Sequence, residues 1–348
     1  MTKKLIALAK KEAVFFISLL FAVLTMFLVP PDREYLHYID FRVLALLFCL
    51  MTVVAAFKSI GVFSVITEKL LAKIKNGRVL ALCLVMLPFF SSMLITNDVA
   101  LIVFVPFTVA LLSQLNCEKN IVPVLVFQTV AANLGSMATP VGNPQNLYLY
   151  SAYNLTAAEF FFTVLPLTAV SFICLSASSL FLLPKELPSC EIKEEKIESK
   201  KKLILYVLLF LLSLLTVFRV VHFGITALVV ALVFLVVDRK IFKETDFVLL
   251  LTFVCFFVIS ENLGRVEVIR EFLKTLLSKN TLLTSVGASQ VISNVPATLL
   301  LTGFTHDWST LIIGSNIGGL GTMIASMASL ISYKQVVKHY PAKKGAYV

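Results

Sequence analysis

Two short polar clusters interrupt long apolar stretches in the first half of the chain. The first is Thr96-Asn97-Asp98, and the second runs from Asn133 to Asn143 and contains Thr139-Pro140. A carboxylate at membrane depth costs at least a few kcal/mol, which makes Asp98 a candidate functional residue. Backbone broken by Gly and Pro at that depth is tolerated only where it lines protein or a cavity. These residue types predict one half of an ion-binding or substrate-binding site.

The chemistry available to these residues is that of ion and anion binding. Asn, Ser and Thr oxygens and freed carbonyls can replace the water around Na⁺, and helix N-termini attract anions. Asp98 could supply the negative charge for a cation or carry a coupling proton. Simpler explanations stay open, since Asn97 and Asn294 could be plain helix caps and Asp98 could cap a helix or lock a hairpin.

The segments rich in helix breakers also have two explanations. Residues 139–144 (Thr-Pro-Val-Gly-Asn-Pro) contain too many breakers for a regular helix, and a packing kink is the alternative to a binding site. The Gly-rich segment 314–321 could instead be a face at which two helices pack closely.

Composition identifies the environment in which these clusters lie. The chain has 348 residues, of which 59% are apolar and 14% charged, and its mean hydropathy is +0.94. Soluble proteins are about 45–50% apolar, so we predict an all-α polytopic membrane protein with about 9–10 membrane elements. The net charge of +10 does not indicate nucleic-acid binding, because Lys and Arg lie at the ends of apolar runs. The lipid bilayer is the expected partner, in the plasma (inner) membrane and with a cytoplasmic N-terminus.

Nothing in the sequence predicts an enzyme. The six cysteines are scattered without a CxxC pair, and the four histidines lie near the ends of apolar runs. The sequence has no Ser-His-Asp set, phosphate-binding motif or zinc-ligand cluster. We therefore expect no cofactor apart from a coupling ion, Na⁺ or H⁺.

The apolar runs divide the chain into two halves, residues 1–183 and 203–348, joined by a charged cytoplasmic linker at 184–202. Within the first half we predict a re-entrant hairpin at 79–113 and a broken helix at 121–152, although two full spans are the alternative to the hairpin. The second half is predicted to contain a hairpin at 281–304 and a broken helix at 308–337. Amphipathic segments at 58–78 and 264–277 are predicted to lie in the membrane interface.

The second half repeats the first, with a repeat unit of about 40–183. Four pairs of motifs occur in the same order, and they are Asp40-Phe41 with Asp246-Phe247, Ser59-Ile-Gly61 with Asn262-Leu-Gly264, Thr96-Asn97 with Ser293-Asn294, and 133–139 with 316–322. The charge pattern gives the two opening spans opposite directions, which predicts two inverted-topology repeats. Such repeats bring two broken elements together at a midplane site in secondary transporters.

These motifs resemble the ion transporter superfamily, which includes arsenite-permease-like and citrate-permease-like proteins and divalent-anion:sodium symporters. The resemblance covers about 40–337 and depends on the polar tips 96–98 and 293–295, on Thr139-Pro140 and on Thr322. It implies one re-entrant hairpin and one unwound helix in each repeat, with sodium or proton sites and an anionic substrate between them. Asp98 and Val295 replace the tip Thr of the dicarboxylate symporters, and the tips are more similar to the arsenite-permease-like branch.

The repeat and the resemblance together give the expected site. The substrate ligands are predicted to be Asn97, Asn294, Ser293, Thr139, Thr322 and Asn143. The coupling ion is predicted to be bound by Asn97, Asp98, Asn133, Gly135, Thr139, Asn294, Asn316 and Gly318, with Thr96, Asn97 and Asn133 as a candidate Na⁺ site.

The expected function is secondary active transport of a small anion, an inorganic oxyanion or a carboxylate, or of its neutral acid. Transport would be coupled to H⁺ or Na⁺ and would proceed by alternating access. Because no Arg or Lys lies in the hairpin tips, a neutral oxyacid or a cation-escorted anion is physically easier to bind than a bare polyanion. A Na⁺/H⁺ antiporter using Asp98 is the alternative, and a non-transporting membrane scaffold is the third hypothesis. A homodimer is left open.

Overall fold

The computed structural model describes residues 12–71, 74, 76–186, 197–341 and 344–347. The predicted basic N-terminal segment at 1–11 and residues 187–196 of the predicted linker lie outside the described residues. The described chain is built from α-helices, as the apolar runs predict, and the prediction of an all-α polytopic membrane protein is confirmed.

The described part of the first half contains eight α-helices. They are α1 (Ala13–Leu28), α2 (Phe41–Ser59), α3 (Val62–Leu71), α4 (Gly77–Ile95), α5 (Asn97–Gln114), α6 (Ile121–Ser136), α7 (Pro144–Ala152) and α8 (Ala157–Ser179). The second half contains α9 (Lys200–Val217), α10 (Phe223–Val237), α11 (Ile241–Glu244), α12 (Phe247–Arg265), α13 (Glu267–Lys279), α14 (Thr281–Ile292), α15 (Asn294–Thr302), α16 (Trp308–Ile317), α17 (Met327–His339) and α18 (Lys344–Tyr347).

Five stretches of the described chain are long and apolar enough to cross a bilayer. They are Arg33–Ser59, which includes α2, and helices α4, α5, α8 and α12. The apolar helices α1, α10 and α14 are shorter. Large apolar side chains are exposed on these shorter helices, such as Phe27 on α1 (80% exposed) and Val236 on α10 (85% exposed). Lipid removes these exposed apolar side chains from water.

The opening helices of the two repeats are built alike. Helices α2 and α12 each contain 19 residues, and their caps Asp40 and Asp246 accept hydrogen bonds from the backbone N–H three residues later. The far ends differ from the sequence alignment, because α2 ends at Ser59 and Gly61 follows with a φ of 75°. Gly264 lies inside α12 instead. The helix lengths therefore pair Ser59 with Arg265, not with Asn262.

Helix α1 packs along α12 and therefore lies against the second half. The Asn262 amide donates a hydrogen bond to the Thr25 hydroxyl over 3.1 Å. At the end of α12, Arg265 forms an ion pair with Asp32 at 2.7 Å. These contacts hold α1 beside the second repeat.

The hairpin helices pack against broken helices of both halves. In each half the first hairpin helix packs on the first piece of the broken helix, α4 on α6 and α14 on α16. The second piece of each broken helix packs against the hairpin of the other half, α7 on α15 and α17 on α5. This reciprocal packing is what a two-fold relation between the halves produces, and it brings both polar tips and both breaks to the centre.

Candidate functional site

The two hairpins turn at a single residue with the same unusual backbone. Thr96 joins α4 to α5 with φ 67° and ψ 148°, and Ser293 joins α14 to α15 with φ 73° and ψ 152°. A positive φ is costly for a residue with a Cβ, and in this region it costs about 1–3 kcal/mol. Surrounding contacts must therefore hold both tips in place.

The breaks in the broken helices supply those contacts. The backbone N–H of Asn97 donates to the Gly142 carbonyl over 3.1 Å, and that of Asn294 donates to the Ala325 carbonyl over 2.9 Å. Gly142 and Ala325 occupy equivalent places, because each residue of 133–143 corresponds to the residue 183 positions later. Each hairpin tip is thus docked on the break of its own half.

Thr139 and Thr322 make a second equivalent contact. The Thr139 hydroxyl donates to the Met93 carbonyl, and the Thr322 hydroxyl donates to the Gln290 carbonyl over 3.3 Å. Met93 and Gln290 each lie three residues before a hairpin tip. The hydroxyls of both predicted substrate ligands therefore connect a hairpin to a break by a hydrogen bond. Thr322 is exposed.

Asn97 and Asn133 lie together at the first tip, as the sequence predicts. The Asn97 amide donates to Asn133 Oδ1 over 2.8 Å, and the Ser326 hydroxyl of the second half donates to the same oxygen over 3.1 Å. Asn97 and Asn133 are each only 4% exposed.

Asn143 and Asn316 form the corresponding contact from the other direction. The Asn143 amide donates to Asn316 Oδ1 over 2.9 Å, and the Asn316 amide donates to Asn146 Oδ1 over 2.7 Å. Asn143 corresponds to Ser326 and Asn316 corresponds to Asn133. The cross-half contact therefore occurs twice with the halves exchanged. We call Asn97, Asn133, Asn143, Asn146, Asn316 and Ser326 the amide cluster.

Three polar atoms at the first tip have no hydrogen-bond partner within the described part of the chain. They are Asn97 Oδ1, Asp98 Oδ1 and Asn133 Nδ2. Two of them have an equivalent in the second half that is satisfied, since Asn294 Oδ1 accepts from the Val295 N–H and Asn316 Nδ2 has two acceptors. The counterpart of Asp98 is Val295, which has no polar side-chain atom. An unpaired buried polar atom costs about 1–3 kcal/mol, so these three atoms mark the place where a ligand would be stabilised.

Asp98 lines a cavity of about 570 Å³ beside the amide cluster, together with Thr96 and Asn143. The lining contains five other charged residues, all exposed or half-buried. Four lie around α11 and the fifth precedes α1, and they are Lys58, Lys243, Glu244, Asp246 and Glu12. Among the described residues, acidic side chains therefore outnumber lysines in the lining of this cavity.

The glycines that the sequence assigned to the ion site are used for packing. A Cβ on Gly135 would lie 2.1 Å from the Phe89 carbonyl oxygen, and a Cβ on Gly318 would lie 2.5 Å from the Ser289 hydroxyl. Gly314, one turn before Gly318, meets Ser285 in the same way. Close helix packing, the alternative given for 314–321, accounts for Gly314 and Gly318. Ser293 lies at the second tip, where its hydroxyl approaches the Ala325 carbonyl at 3.4 Å.

Sequence reasoning missed Asn146, Gln290 and Ser326. Ser326 could have been found, because it lies 183 residues after Asn143 and caps α17 as Asn143 caps α7. Asn146 follows Asn143 by three residues in the same motif. Gln290 carries no such signal, since its counterpart Met93 is apolar.

Comparison with known proteins identifies the group to which this architecture belongs. The model of the CitMHS citrate transporter family matches residues 4–307. The uncharacterized transporter MJ0456 of Methanocaldococcus jannaschii is 34% identical over 328 residues, which covers 92% of this chain and 87% of that protein. The inner membrane protein YbiR of Escherichia coli is 30% identical over 314 residues, 88% of this chain and 83% of that protein.

A more distant relative is the silicon efflux transporter LSI3 of Oryza sativa, 32% identical over 138 residues, which covers 40% of this chain and 28% of that protein. The resemblance to the ion transporter superfamily is confirmed by these matches. The protein is an integral, multi-pass membrane transporter and not an enzyme, and the chain belongs to the CitMHS citrate transporter family.

Proposed function

We propose that this transporter is a secondary active transporter that moves a small anion or its neutral acid by alternating access, coupled to H⁺ or Na⁺. The substrate binds between the two hairpin tips and the two breaks. The observation that carries the proposal is the buried amide cluster, which joins the halves reciprocally and leaves Asn97 Oδ1, Asp98 Oδ1 and Asn133 Nδ2 unpaired.

The unpaired amide atoms favour a ligand that both donates and accepts hydrogen bonds. One is an acceptor, Asn97 Oδ1, and the other is a donor, Asn133 Nδ2. The side-chain amides of Asn97 and Asn133 are hydrogen-bonded to each other. If both were rotated by 180°, one donor and one acceptor would still be unpaired. An oxyacid that keeps an O–H group matches this pair better than a bare cation, which only accepts lone pairs.

Charge supports the same substrate class. The side chains of the amide cluster are neutral, and the described residues that line the adjoining cavity include two lysines and four acids. A polyanion would meet net repulsion there, while an uncharged or singly charged acid would not. Small oxyacids are therefore proposed ahead of tricarboxylates, although the family carries the citrate name.

Asp98 is proposed as the residue that binds the coupling ion. Its Oδ1 is unpaired and it lines the cavity, one residue from Asn97. The same observation favours the second candidate function, a Na⁺/H⁺ antiporter, in which Asp98 alone would bind the transported ion. The scaffold hypothesis is not supported, because the relatives are named as transporters.

The orientation follows from charge. Lys58, Lys69, Arg78 and Lys119 lie at helix ends that the proposed topology puts on one side, with the N-terminus. The positive-inside bias makes that side cytoplasmic. We propose the plasma membrane as the location.

A binding panel tests the substrate class. The purified chain is titrated with silicic acid, phosphate and citrate, each with and without Na⁺, and heat of binding is measured. We expect a small acid to bind more tightly than citrate, and Asn133→Ala to weaken that binding at least tenfold. Asn280→Ser, which keeps the helix cap of α14, should bind as the wild type does. Binding of citrate alone, unaffected by Asn133→Ala, would contradict the proposal.

A further inference from the structure

The breaks in α6–α7 and α16–α17 release main-chain carbonyls from helical hydrogen bonding. In secondary transporters such carbonyls coordinate cations such as Na⁺. In this chain, side-chain amides donate hydrogen bonds to carbonyls of both breaks.

In the second half, the side-chain amide of Gln290 is hydrogen-bonded to the carbonyls of the break. Its Nε2 donates to the Gly318 carbonyl over 2.8 Å and to the Leu320 carbonyl over 3.0 Å. Its Oε1 accepts the Thr322 backbone N–H over 2.9 Å. Gly321 makes room for this side chain, because its φ is 114° and a Cβ there would lie 2.6 Å from Gln290 Oε1.

In the first half, the side-chain amide of Asn146 does the same from α7. Its Nδ2 lies 3.2 Å from the Met137 carbonyl, 3.2 Å from the Thr139 carbonyl and 3.5 Å from the Ser136 carbonyl. Met93, the counterpart of Gln290, could not donate to these carbonyls, and Ser329, the counterpart of Asn146, has a shorter side chain. The two halves therefore fill equivalent breaks with amides from different helices.

The orientation of both amides is fixed by their backbone partners. Gln290 faces two carbonyls and one N–H, so its Nε2 must be on the carbonyl side. Asn316 must donate to the Ile312 carbonyl, so the Asn146 atom beside Asn316 Nδ2 is the oxygen. The Asn146 Nδ2 is then the atom that faces the first break.

We propose that Asn146 and Gln290 determine ion specificity by placing N–H groups where an alkali cation would otherwise be coordinated. Neither break then binds Na⁺, and the unpaired oxygens left for the coupling ion are Asp98 Oδ1 and Asn97 Oδ1 at the first tip. This inference rests on the proposed ion-coupled transport, and it names the residues that select the ion.

The repeat provides the variants for a test. Gln290→Met installs the first-half residue at the second break, and Asn146→Ser installs the second-half residue at the first break. Gln335→Met is the matched control, because it makes the same chemical change on α17, away from both breaks. The full-length chain and each variant are heated in NaCl, LiCl and choline chloride at equal ionic strength, and Tm is followed by the fluorescence of Trp308 at the start of α16.

We expect Asp98→Asn, which removes the carboxylate proposed for the coupling ion, to have the same Tm in the three salts. Each of the two break variants should lose roughly 3–6 °C in choline and regain part of the loss in NaCl or LiCl, beyond any change seen in the wild type. Gln335→Met should respond to the cation only as the wild type does. Because the variants alter different breaks, either one that folds gives the comparison, and the Asp98→Asn measurement needs neither.

A saturable rise of Tm with Na⁺ that persists in Asp98→Asn would overturn the proposal, because the ion would then be bound away from that carboxylate. So would break variants that lose the same stability in every salt, which is the result expected of a purely structural amide. The assay measures no flux, so a failure of the proposed transport function would appear separately, as absence of uptake by a chain whose Tm behaves as expected.

Discussion

The side-chain amide of Asn143 donates a hydrogen bond of 2.9 Å to the Oδ1 of Asn316, across 173 residues of sequence. Asn143 ends the first break and Asn316 lies on α16, before the second break. The Ser326 hydroxyl and Asn133 make the reciprocal contact over 3.1 Å. The two repeats therefore meet through side chains that are equivalent by the 183-residue correspondence, and the site at their junction is held by both halves.

This junction predicts energetic coupling between Asn143 and Asn316. Asn143→Ala leaves the buried Asn316 oxygen unpaired, so we expect it to lower the free energy of unfolding by about 1–3 kcal/mol. The double variant with Asn316→Ala should lose less than the sum of the single changes, by about 0.5–3 kcal/mol. Chemical denaturation in detergent measures each value. The distant pair Asn143→Ala and Asn280→Ala should be additive, and additivity at Asn143 and Asn316 would refute the coupling.

Asp98→Asn should abolish coupling and leave expression and folding intact. The amide keeps the size of the side chain but cannot hold a negative charge or exchange a proton at neutral pH. The measurement is substrate uptake as a function of external pH and of Na⁺. Asp40→Asn serves as the control, because Asn caps α2 as well as Asp does. Unchanged pH and Na⁺ dependence in Asp98→Asn would show that another group binds the ion.

Gly135→Ala should destabilise the first half, because the new Cβ would lie 2.1 Å from a backbone oxygen of α4 that cannot move aside. We expect a loss of at least about 1–3 kcal/mol. Gly287→Ala is the matched control, since a Cβ there meets nothing within 4 Å and an alanine in α14 should gain about 0.5–1 kcal/mol. Thermal unfolding of the two variants gives the comparison. Equal stability of the two variants would mean that α4 and α6 pack less closely than described.

The hairpin tips should accept glycine. Thr96 and Ser293 have φ values of 67° and 73°, and glycine adopts positive φ without the clash of a Cβ. Thr96→Gly and Ser293→Gly should each raise the free energy of unfolding by about 1 kcal/mol, after the greater freedom of the unfolded chain is subtracted. Thr275→Gly, within α13, should lower it by about 0.5 kcal/mol. A loss at the tips equal to that at Thr275 would show that the tips are unstrained.

The sequence was sufficient for the fold class and for part of the site. Long apolar runs require helices in a bilayer, and clusters of Gly, Pro and Asn disfavour a helix. Helices α6 and α16 accordingly end within the breaker-rich motifs, at Ser136 and Ile317. Asn97 and Asn133 were predicted together because both are polar at membrane depth, and they are hydrogen-bonded. The re-entrant course of the hairpins stays a prediction.

The rest of the site depends on contacts that sequence spacing does not encode. Thr139 and Thr322 were predicted as substrate ligands, but their hydroxyls bond to hairpin carbonyls that only the packing of α4 and α14 brings near. Gln290 has an apolar counterpart, so the repeat gave no reason to select it. Gly135 and Gly318 were assigned to ion binding, although the close approach of a neighbouring helix accounts for both.

Gradient-driven uptake tests ion-coupled transport of a small acid most directly. The purified chain is reconstituted into proteoliposomes with an imposed pH or Na⁺ gradient, and accumulation of the best small acid from the binding panel is followed. We predict accumulation above the external concentration that collapses when the gradient is dissipated, and that Asp98→Asn no longer supports. Exchange of Na⁺ for H⁺ without any acid, or no flux from a folded protein, would contradict the account.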